Sequence, residues 1–355
     1  MEPSDNTGFL GEGDGIRKKS YIDTLRALSV CLVFLYHYNG GIGQLGISAP
    51  PIFYGFKNGN WGNVGVFLFF MISGNVLYHK YGKTMDYKAY FKNRFRRIFP
   101  LFWLCYVLAF LYNFWKTKAF PNIPLYKLIL TVCGMDGFLA YRTETFYILG
   151  EWFLGCIIIV YILFPFIRLC INKNIHITLV VLFLSSCLIF YNNFWGMFQI
   201  ASRRNVIVAL FYFVLGIWIE KILILLKKKM QIITACIFSF LGLLILFVEL
   251  PVNEYICYLF LNISIFIFVF SVNGFFAESK IVKPFIQILS RESYAIFIVH
   301  HIVIQEIIVH FIGNIYSLKG ILCILALCIL VTFVCIQGLN YISLKVNGLK
   351  KFNEL

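Results

Sequence analysis

The chain has 355 residues, of which 60% are hydrophobic, 19% aromatic and only 13% charged, where a soluble globular domain carries roughly 25% charged residues. With a mean hydropathy of +0.82 there is too little polar surface to coat a water-facing globule, which excludes a soluble domain. The formal net charge of +15 reads as a membrane-topology signal with attraction to anionic lipid as a by-product, and nothing in it suggests a nucleic-acid partner.

The apolar residues fall in blocks near the length that crosses a bilayer, roughly 17–25 residues. Backbone polar groups inside lipid must be bonded within the segment, so these blocks are predicted helices. The expected fold is all-α, a polytopic integral membrane helical bundle of about ten transmembrane helices. Residues 1–20 read as a polar cytoplasmic tail with no apolar stretch of the signal-peptide kind. Residues 21–343 form the transmembrane domain, and 344–355 a basic cytoplasmic tail. Spans are expected at 22–42, 61–79, 99–115, 147–170, 176–192, 204–225, 231–250, 255–275, 293–312 and 319–342. No internal repeat of the transporter type is visible. The 11 cysteines mostly sit inside apolar blocks and form no C-x-x-C pair, so neither a metal site nor a disulfide framework is read from them.

The first span holds Asp23, Arg26 and His37. Charge inside a span is costly and is a functional hypothesis by default. Asp23 and Arg26 are three apart and can pair; the plainer reading is a snorkelling arginine with a local partner. His37 lies eleven residues after Arg26, on the same face and about 16 Å further out by helix rise. It is either a hydrogen-bonded structural histidine or a functional one, and the shared face with Arg26 favours the second.

The segment after the second span, KAYFKNRFRRIFP, packs Lys88, Lys92, Arg94, Arg96 and Arg97 among aromatic residues. It reads either as an interfacial amphipathic helix held by anionic headgroups or as a phosphate-binding site suited to arginine's planar fork. Arg94 and Arg97 would share one helix face, and Pro100 is expected to end this segment and start the next span. Leu125 to Cys133 is apolar but too short to cross, so it is re-entrant or interfacial. Glu151 and Trp152 open the fourth span, whereas Glu220 and Glu249 read as boundary residues. The ninth span carries His300, His301, Glu306 and His310, the last two four apart and able to pair.

Lysine and arginine then orient the bundle. With a cytoplasmic N-terminus, 22 of the 31 fall on inner segments and 8 on outer ones, with Arg26 inside the first span. This alternation favours ten spans with both termini cytoplasmic, and puts 43–60 and 116–146 outside.

Several of these segments resemble the acyltransferase-3 family of polytopic membrane O-acyltransferases. YIDTLRALSVCLVFLYH is similar to that family's first span, with its histidine eleven residues after the arginine. GVFLFFMISG, ending at Ser73 and Gly74, is similar to the second. FKNRFRRIFP resembles its R-x-x-R-I-x-P segment, WFLGCIIIVYILFP has its spacing of Trp152, Tyr161 and Pro165, and SYAIFIVHH is similar to its S-Y-x-I-Y-L-x-H segment ending at His300. The chain departs at Asn75, where phenylalanine is usual, at Glu151, where histidine or leucine often stands, and at Ile157, where some members have glutamate.

The resemblance implies an O-acyltransferase that moves an acyl group, usually acetyl, from cytoplasmic acyl-CoA to a hydroxyl of an envelope glycan or lipid-linked sugar. Acetyl-CoA would be a co-substrate, with no bound cofactor. The implied location is the plasma (inner) membrane, and an oligomer is left open. His37 is the expected general base, with Arg26 and Asp23 beside it. Arg94 and Arg97 would hold the CoA phosphates, aided by Arg96 or Lys92, and His300 would line the pantetheine path or serve helix packing. Glu151, Trp152, Ser73 and Asn75 are expected on the acceptor side. The rival reading is a polytopic transporter or glycan flippase without acyl-transfer activity.

Overall fold

The computed structural model describes residues 12–44, 55–149, 152–194, 199–311 and 317–347. Among them are eleven α-helices: α1 Glu12–Gln44, α2 Trp61–Tyr81, α3 Tyr87–Thr117, α4 Leu128–Val132, α5 Asp136–Leu139, α6 Trp152–Phe194, α7 Val206–Leu225, α8 Lys228–Phe247, α9 Glu254–Glu278, α10 Val282–His310 and α11 Leu318–Asn347. A two-residue hairpin, β1 Gly55–Phe56 and β2 Gly59–Asn60, is the only sheet among the described residues. Eight of the helices are long and apolar enough to cross a membrane. The chain is therefore a helical bundle of the multi-pass membrane type.

Short polar residues start the helices where the sequence supplies them. Asn60, Asp86, Asn205 and Asn253 each accept a hydrogen bond from a first-turn backbone N–H, so α2, α3, α7 and α9 begin at capped ends. Asn174 does the same inside α6. Its backbone leaves the helix (φ −163°, ψ 107°) while its side chain accepts from the N–H groups of His176 and Ile177 at 2.9 and 3.0 Å. α6 is thus two helices in series, which agrees with separate spans expected at 147–170 and 176–192.

Two expectations are corrected, and one is filled out. Helix α3 runs unbroken through Pro100, so the arginine segment extends the same rod that enters the apolar part of the bundle. The proline removes one N–H without ending the helix, because its neighbouring turns stay packed through Ile98, Leu101 and Phe102. α1 reaches back to Glu12, so residues 12–20 of the expected tail are helical. The fourth span begins at Trp152 rather than 147, because 144–149 is non-helical.

The core forms two clusters. One joins α2, α6, α7, α8 and α9 with Tyr21, Leu25 and Val33 of α1 and Tyr90 of α3; the other joins α1, α3, α10 and α11 with Leu154 and Ile158 of α6. Phe69, Phe153 and Tyr161 pack against both. In the first cluster α2 and α7 approach to backbone contact. A Cβ at Gly74 would collide with the carbonyl oxygen of Phe213, and one at Gly216 with the backbone of Met71. The nearby rings of Phe67 and Tyr212 stack at 4.2 Å and 4°. Small residues at both positions allow this approach, as is common between membrane helices.

Other polar pairs lock helices together. Glu220, expected at a boundary, is buried and bonds His79 at 2.8 Å across α2 and α7. Glu306, four residues from His310 and within its electrostatic reach, takes its hydrogen bonds from another helix: its carboxylate accepts from Lys116 Nζ and the Tyr112 hydroxyl of α3, each at 2.8 Å. Asn58 of the hairpin donates to the carbonyls of Ile245 and Val248 and accepts from Leu250 N–H, fixing the hairpin to the end of α8. The short apolar piece expected at 125–133 is a 3-10 turn, Leu125–Lys127, followed by α4, with Leu125, Tyr126 and Ile129 exposed.

Candidate active site

α1 and α10 run side by side in the same direction. Arg26 of α1 meets Ser290 of α10, His37 meets His300 and His301, and Gly41 stands beside Ile304 and Ile308. The register is nearly constant along the pair, so the face of α1 that carries Arg26 and His37 is the face that meets α10. This is the shared face expected from the eleven-residue spacing.

At the inner end of the pair, Ser290 Oγ donates to Asp23 Oδ1 at 2.6 Å. Arg26 Nη1 donates to Ser290 Oγ at 3.3 Å and lies 3.9 Å from Asp23 Oδ1. The local Asp23–Arg26 pair is therefore closed by a serine from another helix, which fixes the guanidinium against α10.

Arg26 lines a cavity of about 250 Å³ on the seam between the two core clusters. Arg94 and Arg97 of α3 and Arg291 of α10 line the same cavity, so it draws arginines from three helices; Arg291 is already paired, its Nε donating to the buried Glu292 carboxylate at 3.0 Å. Ser73 of α2 and Tyr161 of α6 face it as well; the Tyr161 hydroxyl lies 3.4 Å from Ser73 Oγ. Arg94 stands over the Tyr161 ring at 5.6 Å, and its buried Nε makes no hydrogen bond among the described residues. Ser293, Tyr294, Phe153 and Phe297 complete much of the wall. Tyr294 donates to the Ile98 carbonyl at 2.9 Å, tying α10 to α3 at the arginine level. A half-open, cation-rich space with an aromatic wall suits a ligand that carries phosphate on an otherwise apolar body.

Further along α1 and α10, the His37 ring is 5.0 Å from His300 and 5.1 Å from His301, both in edge contact. His300 is buried, and its Nδ1 faces the carbonyls of Ile296 and Phe297 at 3.0 and 2.8 Å. Both partners only accept, so Nδ1 carries the proton and Nε2 is the acceptor in the neutral ring. No group of three His, Cys, Asp or Glu side chains among the described residues is arranged to hold a metal ion.

A family model described as an acyltransferase domain matches residues 19–338. The chain belongs to the acyltransferase-3 family. The match takes in all the residues that line the arginine cavity and the three histidines. No curated protein and no solved structure matches the chain. As an acyltransferase-3 protein it is a multi-pass membrane protein with an acyltransferase domain spanning most of its length.

The structure brings some of the expected site residues together and leaves others apart. Asp23, Arg26, Arg94, Arg97 and Ser73 gather at or beside the cavity, and His37 and His300 gather at the histidine cluster. Lys92 and Arg96 are exposed on the opposite side of α3 with Phe91 and Phe95, outside the cavity. Asn75 is buried two residues beyond Ser73, on another face of α2. Trp152 packs against Phe153 and lies 5.9 Å from the Arg204 guanidinium, also outside the cavity. Glu151 lies outside the described residues.

Ser290, Arg291 and His301 were not picked as site residues by sequence reasoning. One signal was available: Ser290 precedes His300 by ten residues, close to the spacing of Arg26 and His37, as two parallel helices in register require.

Proposed function

We propose that this chain is a ten-span membrane O-acyltransferase with both termini in the cytoplasm of a cell bounded by its plasma (inner) membrane. It moves an acyl group, most simply acetyl, from cytoplasmic acyl-CoA to a hydroxyl of an envelope glycan or lipid-linked sugar. The observation that carries this reading is the convergence of Arg26, Arg94, Arg97 and Arg291 on one cavity, beside the helix pair that leads to His37.

In this reading the CoA phosphates bind the guanidinium groups, and Arg94, with its open buried Nε, takes a direct role. The aromatic wall of Phe153, Tyr294 and Phe297 accompanies the pantetheine arm. His37 stands about 16 Å from Arg26 by helix rise, on the same face, and receives the thioester end. There it acts as general base: it takes the acceptor hydroxyl proton as the oxygen attacks the thioester carbonyl. The new C–O bond forms, the C–S bond breaks, and the proton passes to the departing CoA sulfur. A positioned histidine base contributes about 10²–10⁴-fold. Ser73, expected on the acceptor side, lines the arginine cavity and belongs in this reading with the donor; Asn75, Glu151 and Trp152 remain the candidates on the acceptor side, with Trp152 beside Arg204 the one whose surroundings best suit a sugar ring.

The test is CoA release from acetyl-CoA by purified protein offered candidate envelope glycans, with acceptor mass followed in parallel. Release coupled to an acetyl gain on the acceptor is the expected result. His37→Ala should lower the rate by about 10²–10⁴-fold while leaving expression and membrane insertion intact. An unchanged rate in that variant removes His37 as the base, and transport of glycan without CoA release removes the reaction.

A further inference from the structure

A second, larger cavity lies on the other side of the α1–α10 pair. Its volume is about 720 Å³, and its walls are α8, α9, α10 and the inner half of α1. Leu28, Leu243, Ile265, Phe268 and Phe285 represent its lining, which is almost wholly hydrocarbon. Two of its few hydroxyls are already committed: Thr24 donates to the Ser20 carbonyl at 3.1 Å and Ser264 to the Phe260 carbonyl at 2.7 Å. Ser239 and Cys31 are the remaining polar side chains in a lining that is otherwise hydrocarbon, which suits a hydrocarbon chain rather than a polar ligand. Leu243, Phe268 and Phe285 are exposed, so the groove opens sideways where a bilayer surrounds the bundle.

Two lysines are sequence neighbours of the residues at one end of the groove. Val282 and Phe285 line it at the start of α10, and Lys280 and Lys283 stand exposed beside them. A chain lying in the groove would end in a headgroup next to two ammonium groups. We propose that this groove binds one acyl chain of an anionic glycerophospholipid, with its phosphate held by Lys280 and Lys283. Basic side chains beside an apolar membrane surface recognise such lipids. The mouth lies seventeen residues before His300, about 25 Å of helix rise, so this lipid is not the acyl acceptor. The assignment stands independently of the proposed reaction. The groove shares helices with the arginine cavity: Ala27 and Leu289 line it, next in sequence to Arg26 and Ser290. Lipid in the groove therefore buttresses the back of that polar pair.

The experiment uses the full chain in nanodiscs containing phosphatidylglycerol with a photoactivatable diazirine on one acyl chain, and phosphatidylcholine of the same chain as comparator. Crosslinked peptides are mapped by mass spectrometry. The expected result is labelling concentrated on the groove residues of α8, α9 and α10, stronger for phosphatidylglycerol. Ser239→Trp and Cys31→Phe, which fill the groove, should suppress it. The double variant Lys280→Gln/Lys283→Gln leaves the groove intact and should reduce the preference for phosphatidylglycerol by about thirtyfold. Labelling spread evenly over the exposed faces of α8 and α11 would overturn the proposal. So would groove labelling that survives filling, equal labelling by both lipids, or protein–protein crosslinks across the groove, which assign it to a second copy.

Discussion

His300 is held by two carbonyls of its own helix, and that constraint gives the histidine cluster a direction. With Nδ1 committed to Ile296 and Phe297, the ring cannot turn without losing both bonds. Its proton position is thereby set, and its acceptor nitrogen lies on the far edge of the ring. The arginine cluster can be tested residue by residue in the same spirit. Arg94→Ala and Arg97→Ala should each raise the apparent Kd for acyl-CoA by about tenfold or more, the scale of a lost hydrogen bond to a charged group. The double variant should also flatten the salt dependence of binding, measured by titration at several ionic strengths, whereas Arg96→Ala should do little. Asp136 offers a pH test outside the spans. Its carboxyl is buried, and burial pushes its pKa up while the neighbouring Thr131 opposes the shift. The folded state therefore holds the proton more tightly than the unfolded chain, so stability falls as pH rises through the ordinary aspartate range toward the raised value. Asp136→Asn removes that loss. It should melt higher than the parent near neutral pH, with the difference vanishing in acid, as followed by thermal unfolding in detergent. What the sequence showed at this scale was periodicity: Arg26 and His37 share a face whatever surrounds them. Ser290, Arg291 and His301 depend on which helix lies next to α1, and no single-chain spacing states that.

Between elements, the contact of α2 with α7 is the tightest. Gly74 and Gly216 each face backbone on the other helix, where a methyl has nowhere to go. Gly74→Ala or Gly216→Ala should cost about 1–3 kcal/mol, the range for overpacking, and lower the unfolding midpoint of the detergent-solubilised protein. Gly338, with open space where its Cβ would stand, should tolerate alanine. The starts of α2, α7 and α9 were legible within about two residues because apolar blocks begin there; the caps that fix them, and the break at Asn174, lie in the polar gaps between blocks and were not read as such. Pro100 misled because a proline's effect is not local. Whether it ends a helix depends on the packing of the turns around it, and here Ile98, Leu101 and Phe102 hold them in place. Glu220 misled for a related reason, since its partner His79 comes from a helix about 140 residues earlier in the chain.

For the whole molecule, the charge alternation yields a firm expectation. A single cysteine introduced into the 43–60 segment of an otherwise cysteine-free variant should react with a membrane-impermeant maleimide in intact cells. Reaction only after permeabilisation would invert the proposed orientation. Composition alone told that the chain is a membrane bundle, since no arrangement of so few charged residues covers a soluble globule. It did not tell that the bundle has two cores, because that division arises from which helices pair. The division has a mechanical consequence for the arginine cavity. Phe69, Phe153 and Tyr161 are the aromatic join shared by both clusters, and the cavity sits on that line. Helix α1 crosses it, packed closely against α2 on one side and α10 on the other. It is the keel on which both halves are laid, so a change in the setting of α1 is carried into both cores at once and to the arginine cavity between them.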